Sequence, residues 1–224
     1  MNKAFRFLAF SLAALSAESA FSKENEAVPA VQYLGHASLC ITVGEKTVYI
    51  DPFMGDYEKT ADVILVTHQH PDHNRLDLVK NRSSDCVIIT EKEALKGGKH
   101  RTFDLGFMSV EAVTAGNKNH SEKNCVGYIL TFKNNKTLYI SGDTSKVPQM
   151  ESLKARNLDW AFFCCDGIYN MDVAEASECA KIVSAKHSVP YHTKPGTPFD
   201  IPTAERFSAT GKYILKPGEV LLVE

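Results

Sequence analysis

Three imidazoles and a carboxylate fall within the six residues His68-Gln69-His70-Pro71-Asp72-His73. Neutral imidazole nitrogen and carboxylate oxygen are the donors that zinc, manganese and iron accept, so the composition alone points to metal chemistry. The spacing sharpens this. His68 and His70 stand two apart, so extended backbone projects both to one side, and Pro71 forces a turn that brings Asp72 and His73 round toward a second ion. The cluster follows Val63-Ile64-Leu65-Val66, an apolar run that reads as a buried parallel strand. The carboxyl end of a buried strand is where open α/β sheets place their ligands, and a His-rich surface turn has no need of that position. The chain shows neither a serine nucleophile elbow nor a glycine-rich phosphate loop, each of which would offer a competing chemistry.

This motif resembles the HxHxDH signature of the metallo-β-lactamase superfamily. Gly35-His36-Ala37-Ser38 and Asp51-Pro52-Phe53 are similar to the opening segments of its small metal-dependent hydrolases, the branch that includes the ascorbate-phosphate lactonase-like proteins. The resemblance runs from about Val31 to the C-terminus. It implies an αββα sandwich of two mixed β-sheets with outer helices, whereas periodicity alone supports only a mixed α/β class.

The resemblance also implies a ligand set. Asp143, after Ile140-Ser141-Gly142, matches the carboxylate that bridges two ions, a task that suits a group able to offer one oxygen to each cation and offset their repulsion. His192, after Val189-Pro190-Tyr191, matches the last ligand and would complete a second site with Asp72, His73 and Asp143. The chain departs from the pattern in Val113-Thr114-Ala115-Gly116-Asn117-Lys118-Asn119-His120, where many relatives carry a His at the place of Asn117. Two readings stay open there. Either His120 folds back to close the first site with His68 and His70, or Asn117 lines that site with a weak neutral oxygen. A first site short of an imidazole would hold its ion less tightly than the second. His120 and Asp72 are the catalytic candidates, Asp72 as the group that orients a metal-bound water. Asn117, Asp166 and Lys194 are candidates to line the substrate, Lys194 by meeting a phosphate or carboxylate. His36 reads either as a partner of Asp51 or Asp72 behind the ligands or as a core histidine. His100 and His187 read as surface residues.

The expected activity is hydrolysis of an ester, lactone or phosphoester-type small molecule by a metal-activated water, with one or two Zn2+ ions, or Mn2+ or Fe2+, as cofactor. An iron-loaded redox enzyme of the same fold and a non-catalytic metal-binding module are the alternatives. With 25 basic and 27 acidic residues spread through the chain and a formal net charge of -2, no basic stripe suggests a nucleic-acid partner. The six cysteines sit mostly inside apolar runs and are not spaced as a disulfide framework.

The elements that position these groups follow from the pattern. Short strands are expected at 31–34, 39–43, 47–50 and 63–66, then at 86–89, 108–113, 126–132 and 137–140, with a short helix at 91–95. Asp172 with Glu175 three residues on resembles a capping box opening a helix to about Ser184, whose Ala176, Cys179, Ala180 and Val183 form an apolar face. A further helix is expected over 203–210. At the start, Lys3 and Arg6 precede the apolar run Phe7–Leu15, and Ala20-Phe21-Ser22 fits a cleavage site, so residues 1–22 read as a secretory signal peptide of an exported protein, periplasmic or extracellular. Residues 23–224 would then form one domain, with no membrane association after processing and a small-molecule substrate as its partner.

Overall fold

Val48 and Ile50 face one cluster of buried side chains and Tyr49 between them faces another, and the same alternation separates Val63 and Leu65 from Ile64. That period of two is the mark of a sheet buried on both faces. The structure, a computed structural model, describes residues 27–224, and the leader expected over residues 1–22 lies outside the described residues.

The strands run β1 (Ala30–Gly35), β2 (Ser38–Val43), β3 (Lys46–Ile50), β4 (Ala61–Leu65) and β5 (Arg82–Ile89), then β6 (Thr102–Asp104), β7 (Met108–Thr114), β8 (Val126–Phe132), β9 (Thr137–Ile140), β10 (Trp160–Cys164), β11 (His187–Tyr191) and β12 (Val220–Leu222). They form two six-stranded sheets, ordered β12-β1-β2-β3-β4-β5 and β11-β10-β9-β8-β7-β6. Each sheet is mixed. Hairpin-linked antiparallel strands make one half, while β3-β4-β5 and β9-β10-β11 are parallel. The main core lies between the sheets and joins Leu39, Ile41 and Leu65 of the first to Val110, Leu130, Ile140 and Phe162 of the second. This is the αββα sandwich that the resemblance implies.

The helices are few. Val173–Val183 buries Ala176, Cys179, Ala180 and Val183, the expected apolar face, and packs on β10. Asp172 accepts from the Glu175 backbone N–H, but the Glu175 carboxylate turns away to accept from Lys146 N, so only half of the expected capping box forms. Both halves of a box form instead at Thr90 and Glu93, ahead of the Glu91–Ala94 helix. The last helix spans Ile201–Arg206 rather than 203–210. Asp200 caps it by accepting from Thr203 N, Pro202 fits its first turn, and Phe207 leaves helical backbone to bury its ring. All six cysteines are free thiols.

The strand Trp160–Cys164 is fully buried and flanked by a parallel strand on each side, so it shows no polar alternation for a sequence reading to catch. Pro190 inside β11 is tolerated because β11 is an edge strand. At the start of β8 the two sheets are stitched together. Val126 N donates to Thr67 O at 3.0 Å, Tyr128 Oη donates to Val66 O at 2.9 Å, and His68 bridges Cys125. The loop after β4 is thereby pinned to the second sheet.

Candidate metal centre

The chemistry-bearing residues follow the carboxyl ends of strands: Asp51 after β3, His68 to His73 after β4, His120 after β7, Asp143 after β9, Asp166 after β10 and His192 after β11. Two sheets with parallel halves deliver all of these ends to one rim, which is where such sheets bind ligands. The backbone turns sharply there. His36, Asp51 and His192 hold φ of 55°, 45° and 45°, in the left-handed region that costs a residue with a side chain about 1–3 kcal/mol. Gly142 (φ 62°) makes the turn that aims Asp143, and a Cβ there would lie 2.5 Å from Val126 O. Gly142→Ala should therefore push Asp143 off the site and cost the protein bound metal at an otherwise intact fold, as read by elemental analysis beside circular dichroism; a variant that keeps the parent's metal content would refute this.

Asp143 is the hub. Its Oδ1 lies 3.4 Å from His73 Nε2, and its Oδ2 lies 3.4 Å from His120 Nε2 and 3.6 Å from His192 Nε2. Three groups of donors cluster closely enough to share an ion: His68, His70 and His120; His68, His73 and Asp143; and Asp72, His73 and His192 with His36. His120 Nε2 and His70 Nδ1 approach to 3.1 Å. His68 Nε2, His73 Nε2, His192 Nε2 and Asp143 Oδ1 are buried without a hydrogen bond. So many orphaned acceptors facing one another is unfavourable unless a cation sits among them, and a mixed imidazole and carboxylate set fits a divalent metal.

The far side of each ring explains why the Nε2 atoms face inward. Thr67 Oγ1 donates to Asp51 Oδ2 at 2.7 Å and so accepts from His68 Nδ1 at 3.0 Å. His73 Nδ1 donates to Asp51 Oδ2 at 2.8 Å, and Asp51 Oδ1 takes the Thr67 backbone N–H at 2.7 Å. His120 Nδ1 lies 3.0 Å from Asn117 Oδ1, and His192 Nδ1 lies 3.2 Å from Asp166 Oδ2. The Nδ1 atoms of His68, His73 and His120 are thus taken up by hydrogen bonds and that of His192 faces the Asp166 carboxylate, which turns the Nε2 atoms toward the position of an ion.

Among the expected residues, His68, His70, Asp72, His73, His120, Asp143 and His192 are brought together at this rim. Because His120 meets His68 and His70, the first group is not short of an imidazole. Asn117 and Asp166 are placed otherwise than as substrate-lining groups: they stand behind His120 and His192, and the Asp166 side chain is fully buried. Lys194 is exposed in the loop after β11, where its charge acts on Asp200. His36 donates to Asp72 Oδ2 from Nε2 at 3.2 Å, with Thr197 O 3.2 Å from its Nδ1. His187 is exposed and stacks on Trp160. Asp51 as the common partner of Thr67 and His73 was not foreseen; the only sequence sign is the carboxylate directly after a buried strand. A cleft of about 550 Å³ opens beside His68, His70 and His120, and Gln69, Glu91 and Lys123 line it.

The charges are set by this packing. Burial, aided by the neighbouring imidazole of His73, pushes His68 down to about 2, and burial likewise lowers His120. Burial also disfavours charge on His73 and His192, but there the carboxylate of Asp143 outweighs it and both are raised, His73 well above the usual value. For Asp143 the penalty of burial is overcome by His192 and His73, which hold its carboxyl well below the usual range. In the metal-free protein His73 and His192 therefore hold their protons more tightly than an ordinary imidazole, and an incoming ion must displace them. A raised value means the proton competes below it, so affinity at the His73 and His192 site should climb as pH rises through those values and then level off, while His68 and His120 contribute no such dependence. Titration calorimetry with Zn2+ in buffers of different ionisation heat should show more protons released by one ion than by the other. Equal release at both would contradict the assignment.

This fold and rim define a class, and comparison with known proteins gives the same class. A profile described as a Beta-lactamase superfamily domain matches residues 30–192, and the chain belongs to that superfamily. A metal-dependent hydrolase of the UPF0173 group from Pyrococcus furiosus is 29% identical over 224 residues, covering 85% of this chain and 98% of its own. One from Alkaliphilus metalliredigens is 27% identical over 188 residues, covering 72% and 84%. The crystal structure of a metal-dependent hydrolase from Parabacteroides distasonis superposes with a TM-score of 0.69 at 31% identity, over 83% of this chain and 92% of that one. The protein is a metal-dependent hydrolase of the metallo-β-lactamase superfamily.

Proposed function

We propose that the protein hydrolyses an ester, lactone or phosphoester-type small molecule with a water activated at a two-ion site, Zn2+ being the ion that best suits the donors and Mn2+ or Fe2+ the alternatives. The observation that carries this is the ring of inward Nε2 atoms around Asp143, those of His68, His73 and His192 buried without a partner. His68, His70 and His120 would hold one ion, Asp72, His73 and His192 the other, and Asp143 would offer an oxygen to each. When bound, such ions polarise a carbonyl or phosphoryl oxygen and bring a coordinated water toward a pKa of about 7.

The chain's own residues supply the rest. Asp72 is the least buried carboxylate of the set, its side chain 36% exposed at the mouth and fixed by His36. Burial works against its charge, but the hydrogen bond from His36 and the charge of His73 win, so it stays ionised and can accept a hydrogen bond from the attacking water. The cleft beside His70 takes the substrate, and the polar Gln69 and Lys123 in its wall suit a small polar ligand. Protein loaded with Zn2+ and offered carboxylic esters, lactones and phosphodiesters should turn over at least one of these classes, with activity lost on chelation and restored by added metal. Inertness toward all three at full metal content would defeat the reading.

For residues 1–22 we infer export. Expressed with its native N-terminus in a bacterium, the protein should leave the cytoplasm and begin near Lys23, which N-terminal sequencing settles; intact Met1 on cytosolic protein would overturn it.

A further inference from the structure

Two ligand candidates that follow different strands are linked behind the rim by a file of side chains, hydrogen-bonded from His120 to Asp166 and closed on His192 by the approach of the Asp166 carboxylate to its Nδ1. From His120, Nδ1 lies 3.0 Å from Asn117 Oδ1, and Asn117 Nδ2 donates to Asn170 Oδ1 at 3.1 Å. Asn170 Nδ2 donates in turn to Asp166 Oδ2 at 2.7 Å, and the same oxygen lies 3.2 Å from His192 Nδ1. The direction of every bond in the file is dictated from its end. A carboxylate can only accept, so Asn170 must present its NH2 group to Asp166 and its oxygen to Asn117; Asn117 must then present its own oxygen to His120, whose Nδ1 must carry the proton. The Asn117 oxygen is fixed a second time by the backbone N–H groups of Asn119 and His120, at 2.7 and 3.0 Å. Asp166 is held by the N–H groups of Ile168 and Tyr169 at 2.8 and 2.7 Å. The segment that carries Asn170 also reaches the hub, since Met171 N donates to Thr144 O beside Asp143.

We propose that Asn170 is a positioning residue for both ions at once: through Asn117 it orients His120, and through Asp166 it orients His192, so that the two metal sites share one support. This rests on the reading of His120 and His192 as ligands to different ions. A contact behind a metal-bound histidine is typically worth about 10–100-fold in metal affinity, and here one amide braces the two side chains that make such contacts. Asn170 is only half-buried and belongs to no helix or strand, so its removal leaves the core intact.

The test is competition between the protein and a chromophoric chelator for Zn2+, with the histidine Nδ1–H resonances of the metal-free protein as the second measure. Asn170→Ala should lower both affinities, each by up to about 10-fold, the low end of the range because Asn170 touches neither histidine, and speed solvent exchange of the Nδ1 protons of His120 and His192 but not of His68 and His73. Asn119→Ala is the control, because Asn119 ties the same two loops through Tyr169 O at 2.8 Å without entering the file; it should leave both affinities in place. If Asn170→Ala fails to fold, Asn170→Asp serves, since it keeps an acceptor for Asn117 but sets an oxygen against Asp166 and should weaken the His192 site first. Loss at one site only, no loss at either, or equal loss with Asn119→Ala would overturn the proposal. The ligand reading is checked separately: the parent should bind two ions and His120→Ala one, and if it does not, that reading falls and the shared support falls with it.

Discussion

Asp143→Ala should bind neither ion after dialysis and should hydrolyse nothing above the rate in buffer. His73, His120 and His192 all face this one carboxylate, at 3.4 to 3.6 Å, whereas Asp72 groups with His73 and His192 but not with His120. Two cations held close together repel each other, and the carboxylate between them is what offsets that repulsion. Its loss is a loss to both sites. The effect should exceed the ~10–100-fold in affinity that an outer contact is worth, because a ligand itself is removed. His70→Ala makes the contrast, since His70 meets His68 and His120 but belongs to no group containing Asp143; it should cost one ion of two. Elemental analysis of both variants decides the matter, and an Asp143→Ala protein with two ions per chain would exclude it from the centre.

The variant also tests the electrostatics. Asp143 is what raises His73 and His192 against the penalty of their burial. In the metal-free protein these raised values contribute stability that is fully present below the ordinary histidine value of about 6.5 and lost as pH rises through the folded values. Asp143, depressed, contributes stability present above the ordinary carboxylate value and lost as pH falls through its own. Metal-free Asp143→Ala should therefore show a flatter dependence of unfolding on pH in both directions.

Much of this centre was legible because its chemistry is local. His68, His70, Asp72 and His73 sit within one loop, and a strand-end Gly-Asp and a strand-end His announce Asp143 and His192. The supports behind them were not legible, because they are contacts across the fold. Asp51 stands 16 residues from Thr67 and 22 from His73, and Asp-Pro in a sequence looks like a turn. Asp166-Gly167 likewise reads as loop chemistry near a substrate, yet its side chain turns inward to His192. The ambiguity between Asn117 and His120 dissolves for the same reason: a tight loop in which Asn117 N and His120 O pair at 2.8 Å sets the imidazole inward and the amide behind it, a geometry that spacing does not encode. Among the elements, the buried strand Trp160–Cys164 and the short edge strands β6 and β12 were not legible, since none alternates long enough to show a period.

Asp51→Ala should be the most destabilising single change behind the centre, by about 3–5 kcal/mol, and should weaken the His73 site with it. Asp51 is fully buried and accepts three bonds, from Thr67 N, Thr67 Oγ1 and His73 Nδ1, at 2.7, 2.7 and 2.8 Å. Truncation leaves three donors without a partner where water does not reach, each at a cost of about 1–3 kcal/mol. Alanine must also adopt a left-handed φ of 45°, which Asp and Asn tolerate far better. Asp51→Asn separates the causes. It keeps the shape and the backbone tolerance, but one amide oxygen cannot serve donors on both sides, and its NH2 would face either Thr67 or His73. It also removes a charge that helps raise His73, so the proton there should be released more easily and the pH at which metal uptake levels off should move down. Chemical denaturation and Zn2+ titration at several pH values measure both effects. If Asp51→Ala unfolds with the parent and binds two ions at the parent's affinity, Asp51 does not hold His73 in place, and the orientation of that imidazole must come from its packing against His36, His68 and His192 and from Asp143.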